Sequence, residues 1–168
     1  MLACAMEILP RAGFRRYEIA SFARPGAECR HNLNYWRRGR YLGLGAAAHS
    51  FLGKVRRANH KSPEAYLAAL ARGEAPVAFT EEVGPAGELL ETLMLGLRLE
   101  EGISLSRLAA MSGLPPERLF GGVLDGLSAN GLLAVEGGCL RLTDRGMLFA
   151  EYVLRSLAGA LPDGLRAP

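Results

Sequence analysis

Apolar positions along the chain follow two rhythms, and the change falls near residue 61. Before it, short apolar runs are punctuated by glycine and proline. Residues 2–9 predict the end of a helix, stopped by Pro10 and Gly13. Residues 17–20 predict a short strand, closed by a loop at 23–26, so helix, turn and strand follow the order of an α/β unit. Residues 29–38 are polar and aromatic and predict a helical turn or two. Residues 41–45 predict a buried strand entering a small-residue loop at 46–50, where Gly43 and Gly45 imply close approach of backbone or ligand. Residues 51–59 predict one more strand.

After residue 61 helices dominate. Ser62-Pro63-Glu64 opens one with an N-cap, a first-position proline and an acid in the first turn; it runs to about Leu70 and stops at Gly73. Residues 77–80 predict a connecting strand. Residues 86–99 are apolar almost all round, so that helix is central. Residues 105–111 predict a helix ended by Gly113, and a single helix follows Pro115-Pro116 with apolar residues at 119, 120, 123, 124 and 127, stopped by Gly131. Residues 132–135 and 139–142 flank Gly137-Gly138 as a hairpin, and Thr143 caps a last helix to about Leu157. The tail after Pro162 is expected to fray. Three helices and a hairpin give a winged-helix order.

Charge sharpens the division. Residues 1–61 carry 12 basic and 3 acidic side chains, a net +9, whereas residues 62–168 carry 8 and 14, a net −6. The helix order invites a DNA-binding reading, and the charge opposes it. Phosphate neutralisation needs lysine and arginine, but residues 117–130 carry Arg118 against Glu117 and Asp125, and Glu136 sits at the wing. No nucleic-acid partner is expected. With 168 residues, 49% of them apolar, the chain can build a core. No run reaches the ~18–20 apolar residues of a membrane span, and no signal peptide is expected; a cytoplasmic place follows, with a peripheral membrane position as its variant. Cys4, Cys29 and Cys139 are too far apart in sequence for a local zinc or iron–sulfur loop.

One stretch concentrates chemistry. Arg30-His31-Asn32-Leu33-Asn34-Tyr35-Trp36 gathers the only tryptophan with a tyrosine, a histidine and two asparagines, flanked by Arg24, Arg37, Arg38 and Arg40. Aromatic rings supply flat contact area, arginine pairs with carboxylates, and imidazole binds iron axially. A structural histidine in a solvated basic face has the same composition, so the residues alone leave both readings open.

A series of motifs runs in order along the chain: Phe22-Ala23-Arg24-Pro25-Gly26, then Glu28 through Trp36, Tyr41-Leu42-Gly43-Leu44-Gly45, Ala48-His49-Ser50, Ser62-Pro63-Glu64-Ala65-Tyr66, Leu93 through Leu99, and Leu142-Thr143-Asp144-Arg145-Gly146. This series resembles the C-terminal part of the HemW haem chaperones, relatives of the oxygen-independent coproporphyrinogen III oxidase HemN. The resemblance covers residues 1 to about 157, and the HNLNYW run typifies the chaperone branch. It implies an α/β plus mostly α fold: residues 1–61 as the C-terminal remnant of a radical-SAM partial (β/α) barrel, residues 62–161 as a winged-helix-like HemN-type C-terminal domain, and residues 162–168 as a tail. Met1 would begin inside a late barrel helix, and the chain would be a fragment whose partner is the missing N-terminal barrel half.

The resemblance also implies roles. His31 matches the motif histidine and becomes the proposed axial ligand of haem iron. Tyr35 and Trp36 become wall contacts, Asn32 and Asn34 supply orienting hydrogen bonds, and Arg24 and Arg30 meet the propionates. Phe22 and Ala23 would be a surviving edge of an S-adenosylmethionine pocket. His49 is given a structural hydrogen bond as readily as a ligand, and His60 no role. Ala47 stands where the family's loop has glycine, which puts a left-handed backbone there in question. Full-length relatives use S-adenosylmethionine and a [4Fe–4S] cluster, whose cysteine loop is absent here.

Three readings follow. The first is a haem-binding chaperone fragment that delivers haem to acceptors, haem-accepting membrane proteins among them. The second is a fragment of a coproporphyrinogen III oxidase-like radical-SAM enzyme, for which no catalytic residue is assigned. The third is an interaction-only module.

Overall fold

The computed structural model describes residues 2–165. In chain order the elements are α1 (Leu2–Arg11), β1 (Arg15–Arg16), β2 (Phe22–Ala23), α2 (Arg30–Trp36), β3 (His49–Leu52), β4 (Val55–Asn59), α3 (Pro63–Ala71), β5 (Val77–Glu82) and α4 (Pro85–Gly96). Then come β6 (Ile103–Ser104), α5 (Leu105–Ser112), α6 (Pro116–Phe120), α7 (Val123–Ala129), β7 (Leu133–Glu136), β8 (Cys139–Leu142), α8 (Asp144–Leu148) and α9 (Ala150–Ala160), with a 3-10 turn at Asp163–Leu165. The chain divides into two compact units: one from the segments up to Arg38 and from Pro85 onward, the other Gly39–Gly84. The predicted change at residue 61 falls inside the second unit, between β4 and α3.

The first unit is built on leucines at helical spacing. Leu89, Leu93 and Leu97 run down one face of α4 and past its end, and Val153, Leu154, Leu157 and Leu161 do the same for α9. They meet Leu108 of α5, Leu119 and Phe120 of α6, Leu127 of α7, and Leu133, Leu140 and Leu142 of the wing, all buried. Burying each such side chain contributes roughly 1.5–3 kcal/mol. The wing is an antiparallel sheet in the order β6-β8-β7, so the predicted hairpin gains a third strand. The N-terminal segment belongs to this same unit: Glu18 bridges Leu99, the Glu100 amide donates to the Tyr17 carbonyl, and Ile19 packs on the core.

Several expectations need correction. The helix at the start runs through Pro10 to Arg11. The strand predicted at 17–20 lies earlier: Arg15–Arg16 pairs with Phe22–Ala23, and the Tyr17 amide donates to the Ser21 carbonyl across a tight loop. The single helix after Pro115-Pro116 breaks into α6 and α7, because Gly121 adopts φ 54°, ψ −145°, outside any helix. The last helix is likewise interrupted at Phe149, at φ −116°. The tail does not fray immediately: Leu165 packs on the core, and residues 166–168, like Met1, lie outside the described residues.

In the second unit, residues 51–59 are not one strand. His49–Leu52 and Val55–Asn59 form a hairpin, and β5 adds to β4 to complete an antiparallel sheet in the order β3-β4-β5. Residues 41–45 are not a buried strand either. Only Tyr41 bridges Phe51, while Leu42 and Leu44 are 67% and 82% exposed. Side chains rather than a neighbouring strand satisfy this backbone: the Gly43 amide donates to Ser50 Oγ at 3.0 Å, and Asn59 Nδ2 donates to the Gly45 carbonyl at 2.9 Å. Close approach at Gly43 holds, since a Cβ there would stand 2.1 Å from the His49 carbonyl oxygen. Ala47 takes φ 60° despite its side chain, its amide donating to the His60 carbonyl at 2.8 Å; such a conformation costs roughly 1–2 kcal/mol.

Thr143 caps α8 as predicted, accepting from the Gly146 amide at 2.9 Å and donating to the Gly131 carbonyl at 2.6 Å. This turn presses on the chain before the wing: a Cβ at Gly146 would lie 1.8 Å from the Leu132 carbonyl oxygen. Gly146→Ala is expected to lower stability by about 3 kcal/mol, read as a fallen urea midpoint at unchanged m-value. Gly159→Ala, where nothing lies within 4 Å, should instead be neutral or stabilising by up to about 1 kcal/mol.

Ser62 caps α3 by accepting from the Ala65 amide, and its hydroxyl donates to Glu64. That hydrogen bond, aided by one from the backbone, holds the Glu64 pKa below its ordinary value. A carboxylate depressed on folding contributes above its unfolded pKa, and the contribution is lost as pH falls through the folded value. Ser62→Ala should return Glu64 toward the ordinary carboxylate range in an NMR titration; an unmoved pKa would assign the effect to the backbone instead.

Candidate functional site

α2 carries the motif residues in about two turns of exposed and half-buried helix. Its start is set by Cys29, whose extended backbone (φ −67°, ψ 101°) precedes the first turn. Because helical residues advance about 100° each, neighbours in sequence separate in space. His31 and Tyr35, four apart, meet: their rings are 4.8 Å apart, edge to face at 86°. His31 is exposed, and its imidazole makes no hydrogen bond or ion pair among the described residues. Trp36, five residues on, turns to another side. The Arg98 guanidinium lies over its ring at 5.1 Å, and its buried Nε1–H has no acceptor among the described residues. Asn32 Nδ2 lies 3.4 Å from the Tyr17 hydroxyl, a long contact away from His31.

The far end of α2 is fixed by charge. Arg38 adopts the left-handed φ of 58° and turns its guanidinium back onto α4. There Nε donates to Glu91 at 2.9 Å and Nη1 donates to Glu88 at 3.2 Å. The Arg38 side chain is only 8% exposed, and its partners sit one turn apart on α4. Arg37 adds an exposed two-pronged pair with Glu101, both contacts 3.1 Å; that hydrogen bond raises the Arg37 pKa against the opposing effect of burial. Beyond the helix, Arg16, its side chain 7% exposed, donates to Glu100 at 2.9 Å and to Asp144 at 2.6 Å.

The remaining sequence-identified residues lie elsewhere in the same unit or in the other one. Phe22 is half-buried and Ala23 buried in β2. Arg24 is exposed, its guanidinium 5.6 Å from the Phe14 ring centroid. Arg30 is exposed at the first position of α2 and makes no side-chain ion pair among the described residues. His49 is exposed at the start of β3, in the second unit. Sequence reasoning missed Arg38 with Glu88 and Glu91, and also Thr92, which is 3% exposed with an unpartnered hydroxyl. Two acids three apart on an otherwise apolar helix were the available signal.

The three cysteines lie apart in the fold as well as in sequence. Cys4 and Cys29 are exposed and Cys139 half-buried, and no group of three His, Cys, Asp or Glu could hold a metal ion among the described residues. Nor, among those residues, is any helix long and apolar enough to cross a membrane.

The HemN C-terminal domain model matches residues 85–149, which begin with α4 and end beside α9. The haem chaperone HemW of Mycobacterium tuberculosis is 40% identical over 151 residues, covering 90% of this chain. The haem chaperone HemW of Bacillus subtilis is 34% identical over 161 residues, covering 96%. The chain corresponds to the C-terminal portion of the HemW family. It spans 37% and 42% of the length of those two relatives. Its fold matches the structure described as coproporphyrinogen III oxidase (HemN) from Escherichia coli, a radical SAM enzyme. The TM-score is 0.73 at 17% identity, over 93% of this chain and 39% of that one. The HemW-like motif run therefore lies on a helix that the HemN-type C-terminal domain itself anchors, through Glu88 and Glu91.

That anchoring is testable. Arg38→Gln removes the nearly buried guanidinium that two half-buried carboxylates share, and stability is expected to fall by about 3 kcal/mol. Adding Glu88→Gln should recover part of the loss in urea unfolding. A second substitution that costs as much again would show that charge is not what binds α2.

Proposed function

We propose that this chain is the haem-binding C-terminal part of a HemW-type chaperone, with haem as cargo and His31 as the axial ligand of its iron. The observation that carries the reading is His31 itself: an exposed imidazole on α2, held edge-on by Tyr35 and free of hydrogen bonds among the described residues. An exposed imidazole with no protein partner among the described residues keeps its ring nitrogens open to a ligand. Tyr35 sets the ring's orientation. Arg24 and Arg30, both exposed, are suited to the propionates by charge and by two-pronged geometry. Phe22 and Ala23 are read as the edge of an S-adenosylmethionine pocket completed by the rest of the longer relatives.

Radical S-adenosylmethionine chemistry requires a reduced four-iron cluster, and the cysteines here do not fit one. The residues support binding and presentation of haem, and delivery to an acceptor is the family-level role that this binding would serve.

Haem titration of the 168-residue chain tests the reading. His31→Ala is expected to abolish the Soret shift and weaken binding at least tenfold, about 1.4 kcal/mol. Arg24→Gln with Arg30→Gln should weaken binding a few-fold and flatten its salt dependence while the Soret position stays. An unchanged spectrum and affinity in His31→Ala would sink the assignment.

A further inference from the structure

A second feature of the same unit is independent of His31. Between α2, α4 and β6 lies a cavity of about 350 Å³, walled by the apolar side chains of Leu99 and Ile103. Among its lining residues, Trp36 Nε1 and Thr92 Oγ1 are buried polar atoms with no hydrogen-bond partner among the described residues. Thr92 is 97% buried, counting from its 3% exposure. An indole N–H only donates, and a threonine hydroxyl can donate as well. A folded protein rarely leaves two such groups unmet, because each costs its lost hydration. Arg107 also lines the cavity, and its guanidinium has no ion-pair partner among the described residues. The other arginines at the wall are paired, Arg37 with Glu101 and Arg38 with Glu88 and Glu91.

We propose that this cavity binds a small organic carboxylate with an apolar body, its two oxygens accepting from Trp36 Nε1 and Thr92 Oγ1 and its charge facing Arg107. The chemistry follows from the wall. Two closed-off donors ask for an acceptor pair, an unpaired cation asks for an anion, and the leucine and isoleucine ask for hydrocarbon. The volume sits at the small end of the range for small-molecule sites, which suits a short aliphatic or single-ring acid. The carboxylate could belong to a free acid or to a haem propionate, and the two share this recognition.

Trp36 is the only tryptophan, so its emission reports the site directly. Hexanoate added to the 168-residue chain is expected to shift that emission saturably, and hexanamide, which keeps the acceptor but not the charge, to bind at least fivefold more weakly. Thr92→Val, of the same shape, should lose hexanoate binding yet melt no lower than the parent. Arg107→Gln, a change at an exposed side chain, should weaken hexanoate at least fivefold with the fold intact by circular dichroism. Haem titration of Thr92→Val then separates the sources: unchanged haem affinity assigns the site to a free acid, and weakened affinity assigns it to a propionate. Absence of a saturable hexanoate response, or hexanoate binding as tight as the parent's in Thr92→Val or Arg107→Gln, overturns the proposal.

Discussion

The clamp of Arg38 between Glu88 and Glu91 sets where α2 lies, and everything proposed for the motif depends on it. A seven-residue helix has little stability of its own. None of its residues is fully buried, so hydrophobic packing alone holds it weakly. The guanidinium supplies what packing does not. It is nearly closed off from solvent, it meets two carboxylates on one face of α4, and its left-handed backbone ends the helix at the same residue. The interaction fixes rotation as well as position. With Arg38 turned toward α4, Trp36 faces Arg98 and the cavity, while the His31–Tyr35 pair is left toward solvent.

The charge split along the sequence takes on a different meaning in this light. A +9 segment followed by a −6 segment suggests a basic surface ready for an anion. In the folded chain much of that charge is consumed internally, because arginines before residue 61 pair with acids after it. Arg16 meets Glu100 and Asp144, Arg37 meets Glu101, Arg38 meets Glu88 and Glu91, and in the second unit Arg56 meets Glu81. The basic character left for a ligand near α2 narrows to residues such as Arg24 and Arg30. Opposite charges in separate halves of the sequence were here a sign of long-range pairing within the fold.

What could be read from the sequence was what short-range rules govern. The Ser62 and Thr143 caps, the glycine ends of α3 and α5, the wing hairpin and the central place of α4 follow from local pattern, and each is present. The failures have long-range or conformational causes. The shift of the first strand to Arg15–Arg16 depends on its pairing with Phe22–Ala23, which periodicity does not encode. The break between α6 and α7 depends on one glycine entering a conformation that apolar spacing conceals. Residues 41–45 read as a buried strand because alternating leucine and glycine resembles one, yet Leu42 and Leu44 are exposed and the backbone bonds go to Ser50 and Asn59. The motif helix was legible as a cluster of residue types; which of them share a face was not, since that needs the register Arg38 imposes.

The two sides of α2 suggest how a carrier could both hold and release its cargo. Under the proposed haem role, an imidazole on an exposed helix would bind iron without enclosing the macrocycle, so little of the ligand's surface would be desolvated and an acceptor would have an open side to approach. Tight, enclosed sites bury most of a ligand and exchange it slowly, because affinity differences appear mainly in the rate of leaving. Another side of the same helix lines a partly open cavity with two unsatisfied buried polar groups, and filling it would add contacts to Trp36 on a helix otherwise pinned by Arg37 and Arg38. A ligand there would stiffen the platform that presents His31. The two proposed sites share one short element, so a change at either side would have a direct physical route to the other, through the position of α2.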